Sequence, residues 1–146
     1  MYRKLIFILV LVLSFFLNCA MFSPKNFYYV VFEDNPNVEN TRIYSKGIEI
    51  GKILDQDLSK ENKLILTIAI NSDYKDLIKS DTLFYADENS LLLQVSDTDS
   101  QALPEKSFIL GFASQTELVW FKAKNTLKDF SKAAQKEIQK IVESFK

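Results

Sequence analysis

The chain changes hydrophobic period twice along its length. Residues 1–22, MYRKLIFILVLVLSFFLNCAMF, show no period: after a short basic start, residues 5–17 are apolar except for Ser14. A basic start followed by a short apolar run is the pattern of a secretory leader. Counted on to Phe22, the same stretch is eighteen residues, near the lower limit for a membrane-spanning helix. A cleaved signal and a retained anchor both remain open.

From Phe27 the period becomes two. FYYVVFE (27–33), TRIYS (41–45), GIEIGKIL (47–54), LILTIAI (64–70), TLFYA (82–86), SLLLQV (90–95), SFILGF (107–112) and TELVWF (116–121) read as short strands about ten residues apart. In the fourth, Leu64, Leu66, Ile68 and Ile70 fall on one face. DNPN (34–37) reads as a turn and SDYKDLIKSD (72–81) as a single helical turn. Short strands at even spacing, with no helical segment between them, predict a small sandwich or barrel and argue against a parallel βαβ sheet.

At the tail the period becomes 3.6. Leu127, Phe130, Ala134, Ile138, Ile141 and Phe145 make one helical stripe, and lysines at 124, 128, 132, 136 and 140 cover the opposite side. Such a stripe packs on its own domain, gathers with other copies about an axis, or lies on an anionic membrane. All three remain open. The divisions expected are thus a leader or anchor over 1–22, a β-barrel domain over 26–121, and an amphipathic helix over 122–146.

Charge and composition narrow the function. The net charge is −1, but residues 20–121 carry −7 and the tail +4. An acidic body argues against a nucleic-acid partner, which needs a basic stripe on the folded domain. The chain has no histidine, and its single cysteine, Cys19, lies at the end of the apolar leader. That excludes histidine-based triads and metal sites and any intrachain disulfide. Asp55 with Asp57, and Asp97 with Asp99, fall in turn-like, solvated segments, whereas acid–base chemistry needs two groups in different environments. No enzyme activity, cofactor or metal is expected.

With three glycines in 146 residues, their positions carry information. In RIYSKGIEIGKI (42–53), Gly47 follows Ser45-Lys46, where a tight hairpin needs positive φ. Gly51 falls inside the next strand, where glycine marks a bulge or a close backbone approach.

This segment resembles the signature of the MCE domain family. There a strand ending in Phe leads through a loop to a short strand, then to GxxVGxV and an alternating apolar strand. Here Phe32, Thr41–Ile43, GIEIGKI (47–53) and KLILTIAI (63–70) stand in that order, and DLIKSDTLFYA (76–86) is similar to the stretch that follows. The likeness runs from about Phe27 to Trp120. It implies a small seven-stranded β-barrel that assembles as a homo-hexameric ring with an apolar central pore. It further implies the lipid-binding part of an ABC-type phospholipid transport system, with permease and ATPase subunits as partners. The family's pore loop GLLG corresponds to NSLLLQV here, with Ser90 and Leu93 in place of its glycines. By that correspondence Leu91, Leu92 and Leu93 would line a lipid path, extended by Leu127, Phe130 and Ile141 of the tail. On pattern alone Leu91–Leu93 read equally as a buried strand. The placement of Cys19 resembles a bacterial lipoprotein signal, which would lipidate that residue and hold the domain at a cell-envelope membrane facing the periplasm. A monomeric lipoprotein, serving as an adhesin or a small ligand-binding barrel without a transport role, is the alternative.

Overall fold

The computed structural model describes residues 25–95, 99–125 and 129–146. The leader with Cys19, and Leu127 in the tail, lie outside them. Among the described residues no helix is long and apolar enough to cross a membrane.

Seven strands form a closed barrel: β1 (Lys25–Phe32), β2 (Arg42–Ser45), β3 (Ile48–Leu58), β4 (Leu64–Asn71), β5 (Leu83–Asp87), β6 (Ser90–Gln94) and β7 (Phe108–Phe112). Their order around the barrel is β1-β4-β3-β2-β6-β5-β7. Parallel pairing of β7 with β1 closes it. Closure leaves no full-length edge strand to template aggregation. The period-two segments predict a sandwich or barrel of about eight strands, and the family resemblance implies seven; a closed, mainly β barrel of seven strands is what forms.

Alternation along the strands fills the interior. Tyr28, Val30 and Phe32 from β1, Leu64, Leu66, Ile68 and Ile70 from β4, and Phe84 from β5 join one buried cluster with Ile43, Ile50 and Ile109. Val38 of the loop after β1 belongs to the same cluster, and that loop is tied to the β5–β6 turn through Glu39 and Asn40 N–H groups donating to the Asn89 carbonyl, each at 3.0 Å. A turn of 3₁₀ helix (Ser72–Leu77) brings Tyr74 and Leu77 against the cluster, followed by fully buried Ile78.

The glycines sit where the backbone requires them. Ser45 pairs with Ile48 across a two-residue turn in which Lys46 and Gly47 both have positive φ, 49° and 81°. That is the requirement of the type I′ hairpin. Gly51 stands at a bulge, since Ile43 pairs with Gly51 but Tyr44 with Glu49, leaving Ile50 as the extra residue of β3. A Cβ at Gly51 would lie 2.2 Å from the Ala69 carbonyl oxygen. Both expectations for this segment hold. Gly111 serves by lacking volume: a Cβ there would lie 2.5 Å from the Phe32 ring.

TELVWF is not an eighth strand. It lies in a helix, α1 (Gln115–Lys124), whose N-cap Ser114 accepts the Glu117 N–H at 3.3 Å while Glu117 Oε2 accepts from Ala113 N–H at 3.1 Å. A second helix, α2 (Phe130–Glu143), carries the tail stripe.

Candidate functional site

Part of the outward face of β1, β5 and β7 is apolar too, and the two helices cover that part. Val31, Leu83 and Leu110 of the barrel make a second buried cluster with Leu118 of α1 and Ala134 and Ile141 of α2. Ile138 and Val142 of α2, and Phe145 just past its end, pack against it. A chain of aromatic contacts joins the layers: Phe112 to Phe121 at 5.1 Å between ring centroids, then Phe121 to Phe130 at 5.5 Å. Of the three uses open to the tail stripe, packing on its own barrel is the one seen in the single chain.

Polar contacts clamp α2 to the same face. Lys140 Nζ lies 3.1 Å from Glu33 Oε1, just past the end of β1, and Lys63 Nζ approaches the same oxygen at 3.8 Å while pairing with Glu61 at 3.2 Å. The hydrogen bond from Lys140 to Glu33 raises the lysine pKa above its ordinary value, with the Glu33 charge adding to it. Glu33 Oε2 is buried with no hydrogen-bond partner among the described residues.

Within one copy, the described residues expected to line a lipid path lie apart from one another. Leu91 and Leu93 face the barrel core, at 0% and 5% exposure, as a buried strand does. Leu92, between them, faces the other way beside its register partners Tyr44 and Tyr85. With Lys46, Gly47 and Gln94 it lines a shallow groove of about 230 Å³ next to the β2–β3 hairpin. Phe130 and Ile141 lie between α2 and the barrel on another side. Leu91 and Ile141 have no exposed surface to offer a ligand in one copy of the chain.

The larger concavity was not legible in the sequence. It is a groove of about 430 Å³ where α1, α2 and the ends of β1 and β7 meet. Phe112 and Phe121 provide its apolar surface over buried Leu110 and Ile141, and Glu33, Asp34, Glu117, Glu137, Lys124 and Trp120 its charged and aromatic walls. Trp120 is 63% exposed. The residues come from the end of β1, from β7 with the adjoining α1, and from α2, and only tertiary packing brings these segments together, so no local motif announces them. Among the described residues no group of three or more His, Cys, Asp or Glu side chains could hold a metal ion.

Comparison with known proteins supports the architecture. No family model matches the chain, and no curated protein matches it. Among solved structures it is similar to a chain of the Acinetobacter MlaFEDB complex in its ATP-bound Vtrans1 conformation. The TM-score is 0.51 with 12% identity, over 82% of this chain and 96% of that one. At that identity the likeness is one of fold.

Proposed function

We propose that this chain is the extracytoplasmic, membrane-anchored lipid-binding component of an ABC-type lipid transport system, related to the MCE domain family. It assembles as a homo-hexameric ring and works with permease and ATPase subunits in the bacterial cell envelope. The leader holds it at the membrane, as a lipidated Cys19 or as a retained helix. One observation carries the reading: the fold, a closed seven-stranded barrel built around the Gly47 hairpin and the Gly51 bulge, is similar over 82% of this chain to 96% of a chain from the ATP-bound Acinetobacter MlaFEDB complex.

The physics suits such a task. A lipid tail leaving a bilayer loses about 0.8 kcal/mol for each CH₂ exposed to water. Symmetric copies can enclose an apolar path with no covalent chemistry. The barrel interior is already occupied by its own side chains, so the path is formed between copies rather than through one barrel.

Native mass spectrometry of the full chain, extracted from membranes, tests this. The expected result is six copies with co-purifying lipid, identifiable in an organic extract. A monomer at micromolar concentration, free of lipid, would refute transport and leave the monomeric lipoprotein.

A further inference from the structure

The groove beneath Trp120 has the chemistry of a receptor for organic cations, and it lies outside the barrel, so the inference stands apart from the transport reading. Four carboxylates line it, from Glu33, Asp34, Glu117 and Glu137, against one ammonium, from Lys124. Glu33 is already held by Lys140 and Lys63, and Glu117 accepts the Ala113 N–H, so the negative charge offered to a ligand rests chiefly on Asp34 and Glu137. Between the carboxylates the floor is apolar, and its volume of about 430 Å³ lies in the range of small-molecule sites. Trp120 leaves most of its surface open on one wall, and indole is the side chain that best attracts a cation to its face.

We propose that this groove binds an ammonium-headed amphiphile. The cationic head sits among the carboxylates against Trp120, and the alkyl part lies on the Phe112–Phe121 floor. Charge complementarity selects the head, since a phosphate or sulfate would meet the carboxylates. The apolar floor selects the chain, since a bare amine would leave it wet.

Trp120 is the only tryptophan in the protein, so its fluorescence reports this groove directly. The full chain is titrated with decyltrimethylammonium below its micelle concentration, with decyl sulfate of equal chain length, and with choline as the head alone. Saturable change with the cationic amphiphile is expected, with choline and decyl sulfate each weaker by about tenfold or more. Asp34→Asn together with Glu137→Gln keeps the shape, leaves the Glu117 cap of α1 intact, and should weaken the cation about tenfold while sparing decyl sulfate. Calorimetric titration of the same pairs guards against an optical artefact. Equal binding of cation and anion, or no loss in the double variant, would overturn the charge selection. Choline binding as tightly as the amphiphile would overturn the role of the floor. No saturable signal with any probe, by either measurement, would overturn the site.

Discussion

Gly51→Ala is the sharpest test of how the barrel is built. The added methyl would lie 2.2 Å from the Ala69 carbonyl oxygen and 3.0–3.1 Å from Ile70 Cδ1 and Cα. Ordinary carbon–oxygen contacts begin near 3.3 Å, so β3 would have to retreat from β4 by about 1 Å. Gly51 pairs with Ile43 on one side and Ile70 on the other, so any retreat strains two ladders. Overpacking of this kind costs about 1–3 kcal/mol, less the roughly 0.4–1 kcal/mol that alanine gains by restricting the unfolded chain. Because the clash is with backbone rather than a flexible side chain, the upper half of the overpacking range applies, and a net loss of about 1–2.6 kcal/mol follows, a fall of about 3–13 °C in Tm for a domain of this size. Gly47 supplies the control. No atom lies within 4 Å of a Cβ built there, but its φ is +81°, so substitution is penalised through the backbone alone. Asparagine tolerates that conformation better than alanine does. At position 47, Asn should therefore be milder than Ala, and at position 51, where only volume matters, Asn should be the worse. Urea unfolding of the four variants checks the crossover. A Gly51→Ala midpoint equal to wild type, or the same ranking at both positions, would refute the close-approach account.

Two further outcomes follow from burial and charge. Leu91→Ala should lose about 2–5 kcal/mol in urea unfolding because Leu91 is fully buried in the core, whereas Leu92→Ala, on the outward face, should lose about 1 kcal/mol or less; equal costs would mean that β6 is not oriented as described. Stability should also fall at alkaline pH: Tyr28 is raised by burial and then by the Glu105 and Asp76 charges, and Lys140 by Glu33, so both hold protons in the folded state after the unfolded chain has released them. That contribution is whole below the unfolded values, 10.0 and 10.5, and is lost as pH rises through the higher folded ones. Tyr28→Phe should flatten part of the decline in Tm between about pH 9.5 and 11.5, and an unchanged slope would sink the burial argument.

The barrel was legible because period-two alternation is enforced strand by strand. LILTIAI declares its buried face, and the glycines declare a turn and a bulge that no other residue would suit as well. Helix α1 was misread for an equally physical reason. TELVWF alternates like a strand, and α1 has no apolar stripe to reveal it, since Leu118 is buried while neighbouring Val119 and Trp120 are exposed. The usable signal was local: Ser114-x-x-Glu117 is a capping-box spacing, and both residues do hydrogen-bond backbone N–H groups at the helix start. The groove was invisible because its walls are assembled by tertiary packing. NSLLLQV shows the opposite limit. An apolar triplet in a strand suits a core or a pore equally well in sequence, and only the pairing of Leu91 with Ile43 and Ala86 turns it inward.

The docking of α2 constrains what the tail can do in any assembly. Ile141 is fully buried against the barrel, and Phe130, Ile138 and Phe145 are partly buried there. Burying a side chain of this size is worth about 1.5–3 kcal/mol, and undocking would also expose Val31, Leu83 and Leu110 beneath. A cost of at least about 5 kcal/mol leaves fewer than about one copy in a thousand undocked. The stripe therefore cannot line a conduit and cover the barrel at once unless assembly returns an equal burial between helices. Apart from Val119 and Trp120 on α1, the large apolar side chains left exposed among the described residues lie on the barrel: Ile48, Leu54 and Leu58 along β3, and Phe27 and Phe108 on adjoining strands β1 and β7. A ring of the kind proposed that uses those surfaces would leave α2 docked and cost no refolding.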